Sequence, residues 1–152
     1  MRENRHIANS FMCFSSDEGK TWTDPVETPW GLSGDRHEGI QLPDGRFLIA
    51  FRDRTPHSST CGQYMAWVGT YDDIRNNRPG QYRIHLLKHY AGTWDGIATG
   101  NGDTGYSGVE LLPDGSIICT TYVHYMPEHN LSSVVCTRFT MDEIDRLAKQ
   151  KA

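Results

Sequence analysis

The sequence predicts an all-β chain built as a partial β-propeller. Three observations lead there: a tetrapeptide that occurs twice, β-rich runs at short regular spacing, and almost no helical periodicity. "LPDG" stands at Leu42–Gly45 and again at Leu112–Gly115, 70 residues on. Each copy is followed by an apolar run, "RFLIAFRD" and "SIICTTYVHY", and preceded by a shorter one, "DRHEGIQ" and "DTGYSGVEL". Strand, Asp-Gly, strand reads as a β-hairpin, because Asp-Gly supports the positive φ of a tight turn. Two further β-rich runs, Gly62–Asp72 and Gly80–Tyr90, fit between the copies, with polar Asp72–Gly80 read as a connection.

Residues 36–90 therefore form a four-stranded meander, and 106–140 repeat three of its strands, ending in "LSSVVCTRFT". Residues 1–30 hold one earlier hairpin, "HIANSFMCFS" against "TWTDPV". Only 141–150 read as helix, with Thr140 as cap and Glu143 as its capping-box partner. Four-stranded meanders in series are propeller blades. The chain counts as one incomplete domain of about two and a quarter blades with a short C-terminal helix. Closure takes ~4–8 blades, so a longer parent protein is expected.

Composition narrows the partners. The chain has 152 residues, enough for one sizeable core. Its net charge of -4 gives no general basic footprint for nucleic acid. No run approaches the ~20 apolar residues of a membrane span. No signal peptide opens the chain. The four cysteines, Cys13, Cys61, Cys119 and Cys136, form no CxxC, which argues against a zinc ribbon. Cys119 and Cys136 flank a hairpin near Pro127, so both a disulfide and two reduced strand thiols remain open there. His85 and His89 stand four apart on a strand, ~13 Å, too far for a metal clip.

"FSSDEGKTWTDP", Phe14–Pro25, looks at first like a place for chemistry. It lacks the further oxygen ligands and terminal Glu of an EF-hand loop. Its Ser and Asp suit a side-chain-bonded turn, and Gly19 a conformation that a side chain would strain. The spacing Ser15-x-Asp17-x-Gly19-x-Thr21-Trp22 resembles the Asp-box, or BNR repeat, of sialidases and related propellers. In that family it is a peripheral turn between the third and fourth strands of a blade.

The resemblance to sialidases extends to "HEGIQLPDGRFLIAFRD" and "TGYSGVELLPDG". It implies a six-bladed propeller, of which this chain is the C-terminal part. It also implies a retaining glycoside hydrolase that cleaves terminal sialic acid or a related acidic sugar. By that likeness Tyr106 is the nucleophile, Glu38 its proton acceptor, and Arg52 one arginine of a carboxylate-binding triad. The interval from Glu38 to Arg52 is about two residues shorter than in the familiar bacterial enzymes. A tyrosine avoids the repulsion a carboxylate nucleophile would meet beside the sugar's own carboxylate. No cofactor is implied, a secreted or periplasmic setting is, and the family's acid/base aspartate and first arginine would lie in earlier blades. The fragment alone is then expected to be inactive. A non-catalytic Asp-box propeller that binds glycans or acts as a scaffold is the alternative.

The internal repeat makes an independent argument. Superposing the two LPDG turns sets Arg36 opposite Tyr106 and Glu38 opposite Gly108. Residues two apart share a strand face, so Arg36, Glu38 and Tyr106 are expected in one cleft. Arg78 and Arg83 are candidates for the remaining triad arginine. His37 and His57 are candidate sugar contacts, and Trp67 and Trp94 are read as core before sugar platform. Asn130-Leu131-Ser132 is a glycosylation acceptor pattern.

Overall fold

A computed structural model describes residues 1, 3, 5, 7–55, 57–90, 103–127 and 131–151. Trp94 and Asn130 lie outside the described residues. Among the described residues the architecture is three antiparallel sheets of two, four and three strands, none of them closed. β1 (Phe11–Met12) pairs with β2 (Val26–Glu27). β3 (Gly34–Gln41), β4 (Phe47–Asp53), β5 (Tyr64–Gly69) and β6 (Tyr82–Leu87) form a meander in that order. β7 (Gly105–Leu111), β8 (Ile117–Val123) and β9 (Ser133–Phe139) form the third sheet.

Two α-helices lie among the described residues. α1 (Tyr71–Arg75) interrupts the stretch read as a plain connection. Thr70 and Asp73 build a reciprocal capping box there, so two orphan N–H groups find acceptors. α2 (Met141–Lys151) starts as expected, with Thr140 and Glu143 exchanging cap bonds. Arg46 ties α2 back to the second sheet through paired bonds to Asp145 at 2.9 and 3.1 Å. No helix among the described residues is long and apolar enough to cross a membrane.

Alternation within the strands makes two cores. Leu48, Ala50, Tyr64, Ala66 and Val68 face the third sheet and meet Ile117 and Cys119. Their neighbours on the opposite face, Phe51, Met65 and Trp67, pack with Leu32. Trp67 is fully buried and donates from Nε1 to the Pro79 carbonyl at 2.7 Å, which makes it core and not a sugar platform.

Both LPDG turns use the same device. Gly45 and Gly115 take φ of 88° and 82°, while Asp44 and Asp114 each accept the N–H two residues on at 3.0 Å. Glycine alone carries the positive φ; the aspartate contributes as an acceptor.

The register decides the cysteine question. Cys119 pairs with Thr137, and Thr120 with Cys136. A one-residue offset puts the two thiols on opposite faces. Cys119 is buried, Cys136 is exposed, and both are free. Burial pushes the Cys119 thiol up to about 12, so it stays protonated and inert.

Candidate functional site

The repeated hairpins share an irregularity as well as a turn. In β3, Asp35 pairs with Arg52 and Glu38 with Ala50, so Arg36 and His37 together oppose Phe51. In β7, Gly105 pairs with Tyr122 and Gly108 with Thr120, so Tyr106 and Ser107 together oppose Thr121. These are matched β-bulges, which re-aim a side chain where they occur. Arg36 and Tyr106 sit at the same bulge position with left-handed φ of 58° and 53°. Neither is a glycine, so both backbones are strained in the way functional sites often are.

The two re-aimed side chains meet. The Arg36 guanidinium carbon stands 3.6 Å from the centre of the Tyr106 ring, a cation–π contact. Tyr106 nonetheless keeps 71% of its surface exposed. Tyr122 lies 6.0 Å beyond it, ring to ring.

Beneath them is a charged layer. Arg52 is buried and grips Asp35 with two bonds, Nε to Oδ1 at 2.7 Å and Nη2 to Oδ2 at 2.8 Å. Its third contact, Nη1, reaches Asp103 at 3.0 Å. Tyr122 donates its hydroxyl to the same Asp103 oxygen at 2.6 Å. That bond and the Arg52 charge hold the Asp103 carboxyl below the usual range. Burial, then the Asp103 contact, push the Tyr122 phenol up to about 12. Burial alone would weaken the Arg52 cation, but the Asp35 bonds and charge outweigh it.

Glu38 lies on the sheet face turned toward the third sheet, since cross-strand partners share a face and its partner is Ala50. It is exposed, and its charge adds to burial in pushing the Tyr64 phenol up. Among the described residues no hydrogen bond joins Glu38 to Tyr106. Behind the cluster His89 is fully buried. Its Nδ1 accepts the His124 N–H at 3.3 Å, the two rings are 5.2 Å apart, and among the described residues its Nε2 has no partner.

Four of the residues singled out from the sequence stand elsewhere. His37 follows Arg36 but faces the other way, stacking on Phe51 at 5.3 Å and bonding the Leu32 carbonyl. Crowding there lowers its pKa. Arg78 pairs with Asp72 at 2.7 Å, both exposed, near the β5–β6 connection. That connection joins the end of β5 to the start of β6, whereas Arg52 pairs with the start of β5. Arg78 is therefore at the opposite end of the sheet. Arg83 closes a separate network with Asp53 at 2.7 Å and bonds Thr60 at 3.0 Å. His57 sits exposed in the loop after β4, with φ of 61°.

Asp103, Tyr122 and the His89–His124 pair escaped the sequence reading. Tyr122 carried a usable signal, since it stands at Arg52 plus 70, the offset between the two LPDG turns. Asp103 carried none: it joins Arg52 across 51 residues of sequence. Among the described residues, no three His, Cys, Asp or Glu side chains gather as metal ligands.

The Ser15–Trp22 turn is held by its own side chains. Ser15 accepts the Gly19 N–H at 2.8 Å and donates to Asp17 at 2.8 Å. Asp17 accepts from the Thr21 N–H at 2.9 Å and hydroxyl at 2.7 Å, and Trp22 Nε1 donates to the Gly19 carbonyl at 3.0 Å. Those bonds lower the Asp17 carboxyl to about 2. The Ser15, Asp17, Thr21 and Trp22 side chains are all bonded inside the turn, which gives the motif a structural role.

No family model and no curated protein matches the chain.

Proposed function

We propose that this chain supplies one side of the active-site cleft of a sialidase-like glycoside hydrolase, acting on terminal sialic acid or a related acidic sugar. The observation that carries the reading is Tyr106, an exposed phenol on a strained bulge with the Arg36 guanidinium against its ring. In the proposed reaction the Tyr106 oxygen attacks the anomeric carbon, and the bond to the leaving oxygen breaks. Glu38 takes the phenolic proton, the role a weakly acidic nucleophile requires. An acid from outside this chain would protonate the leaving group, and water would then cleave the tyrosyl–sugar bond. Arg36 and Arg52 supply positive charge for the sugar's carboxylate.

Trapping tests this directly. The complete protein that carries this chain is treated with an activated fluorosialoside, which halts at the glycosyl-enzyme. Mass spectrometry should find the adduct on Tyr106. Tyr106→Phe should lose the adduct and all detectable release from a fluorogenic sialoside. Undiminished turnover in that variant would remove Tyr106 as nucleophile.

A second reading, a glycan-binding propeller without catalysis, is favoured by one observation. Arg36, and not Glu38, is the side chain in contact with Tyr106. Binding of sialosides with neither adduct nor turnover would establish it.

A further inference from the structure

Arg52 is not an open clamp. Two of its nitrogens are committed to Asp35, which is only 2% exposed. Its Nη1 is committed to Asp103, whose side chain is 73% exposed. One guanidinium thus holds a buried carboxylate on one edge and a solvent-facing carboxylate on the other. The two are not equivalent. Asp35 is sealed in place, and removing it would strand a buried charge. Asp103 is the partner free to turn to water, because its side chain faces solvent and Arg52 keeps the Asp35 carboxylate when it leaves. It is nevertheless placed as a bound ligand would be, taking one bond from Arg52 and one from the Tyr122 hydroxyl. The position lies on the same cluster as the exposed Tyr106 ring, whose neighbour Tyr122 is.

We infer that Asp103 is a specificity-determining residue of this cleft: its carboxylate occupies the Arg52 Nη1 position and must be displaced before an acidic sugar can use that arginine. The inference rests on the proposed acidic-sugar reading and deepens it. A resident negative charge rejects ligands that offer a carboxylate and nothing more. It yields to ligands that add other contacts, such as packing against Tyr106. Arg52 is then exchanged from one carboxylate to another and is never left bare. No covalent bond changes in this exchange.

Equilibrium binding tests it without relying on turnover. The probes are N-acetylneuraminic acid and its uncharged methyl ester, titrated calorimetrically into the complete protein. Asp103→Asn keeps the size and the acceptor for Tyr122 but removes the charge. Asp103→Ala removes both. The acid should bind about tenfold more tightly to each variant, the ratio expected for one relieved like-charge contact of modest strength, while ester affinity stays unchanged. Tyr122→Phe frees one of the two bonds on Asp103 and should give a smaller gain for the acid. Acid affinity that is unchanged or lower in both Asp103 variants overturns the inference. So does a rise for acid and ester together, which reports a wider cleft and not a released arginine. Binding of neither probe to any variant overturns it too. The outcome separates from that of the glycosidase reading. Tyr106 labelling without a gain in acid affinity keeps the enzyme and discards the displacement. A gain without labelling does the reverse.

Discussion

At neutral pH His89 is an uncharged imidazole buried beside His124, with Arg52 and Asp103 close enough for their charges to reach it. Burial, and then His124, lower its pKa from 6.5 to about 4. Unfolding releases the ring to water, where it binds a proton more readily. Between pH 6.5 and about 4 the unfolded chain therefore holds more protons than the folded one, and stability falls as pH falls. Above that window His89 contributes no pH dependence; below it the contribution is flat. His89→Gln should flatten the fall in melting temperature across the window. An equally steep fall in the variant would place the titration elsewhere. Asp53 adds a second, more acidic loss. Burial would raise its carboxyl, but bonds from Ser58 and Thr55 and the charge of Arg83 hold it below the usual range. Its stabilisation is present above the ordinary carboxylate pKa of ~3.9 and disappears as pH falls through the lowered value. None of this was legible in the sequence. In the sequence His89 is only a residue four from His85, and its environment comes from Gln63 and His124, distant in the chain.

Strand β3 shows how much one element carries. It opens at Gly34, where Ser10 bonds both backbone groups. A Cβ there would stand 2.3 Å from the Arg52 carbonyl oxygen and 2.5 Å from the Phe51 ring. Two residues on, the bulge turns Arg36 toward Tyr106 and sends His37 to the opposite face. Gly34→Ala should cost about 3 kcal/mol, the upper end for overpacking, because backbone and not a pliable side chain must yield. Gly45→Ala is the control: with φ of 88° and nothing within 4 Å of an added Cβ, it should cost ~1 kcal/mol of backbone strain alone. Urea unfolding of both variants measures the difference, and equal losses would refute the steric account. The repeat did predict that Arg36 and Tyr106 occupy equivalent places. It could not show that each sits in a bulge, because a bulge leaves no mark in hydrophobic alternation beyond a slip of one residue. Strict period-two counting sets Arg36 and Glu38 on one face, whereas across the extra residue it is Asp35 and Glu38 that share one.

Across the whole molecule, strands, turns and the final helix stand where periodicity and the LPDG repeat put them. Local rules suffice for those features. The charged layer needed the third dimension, because Arg52, Asp35, Asp103 and Tyr122 are gathered from both hairpins. The layout also leaves an asymmetry. The second sheet runs to four strands, whereas the third stops at β9, which pairs only with β8 among the described residues. Backbone amides in an antiparallel strand point alternately to its two sides. Along Ser133–Phe139, the amides directed at β8 are therefore locked and the intervening ones are not. Hydrogen–deuterium exchange on this chain should read β9 as a comb, with fast and slow amides in turn, while β4, flanked on both sides, is slow throughout. Uniform protection along β9 would mean that another strand lies against it in solution. The exchange pattern of seven residues thus reports whether the third sheet has a fourth member.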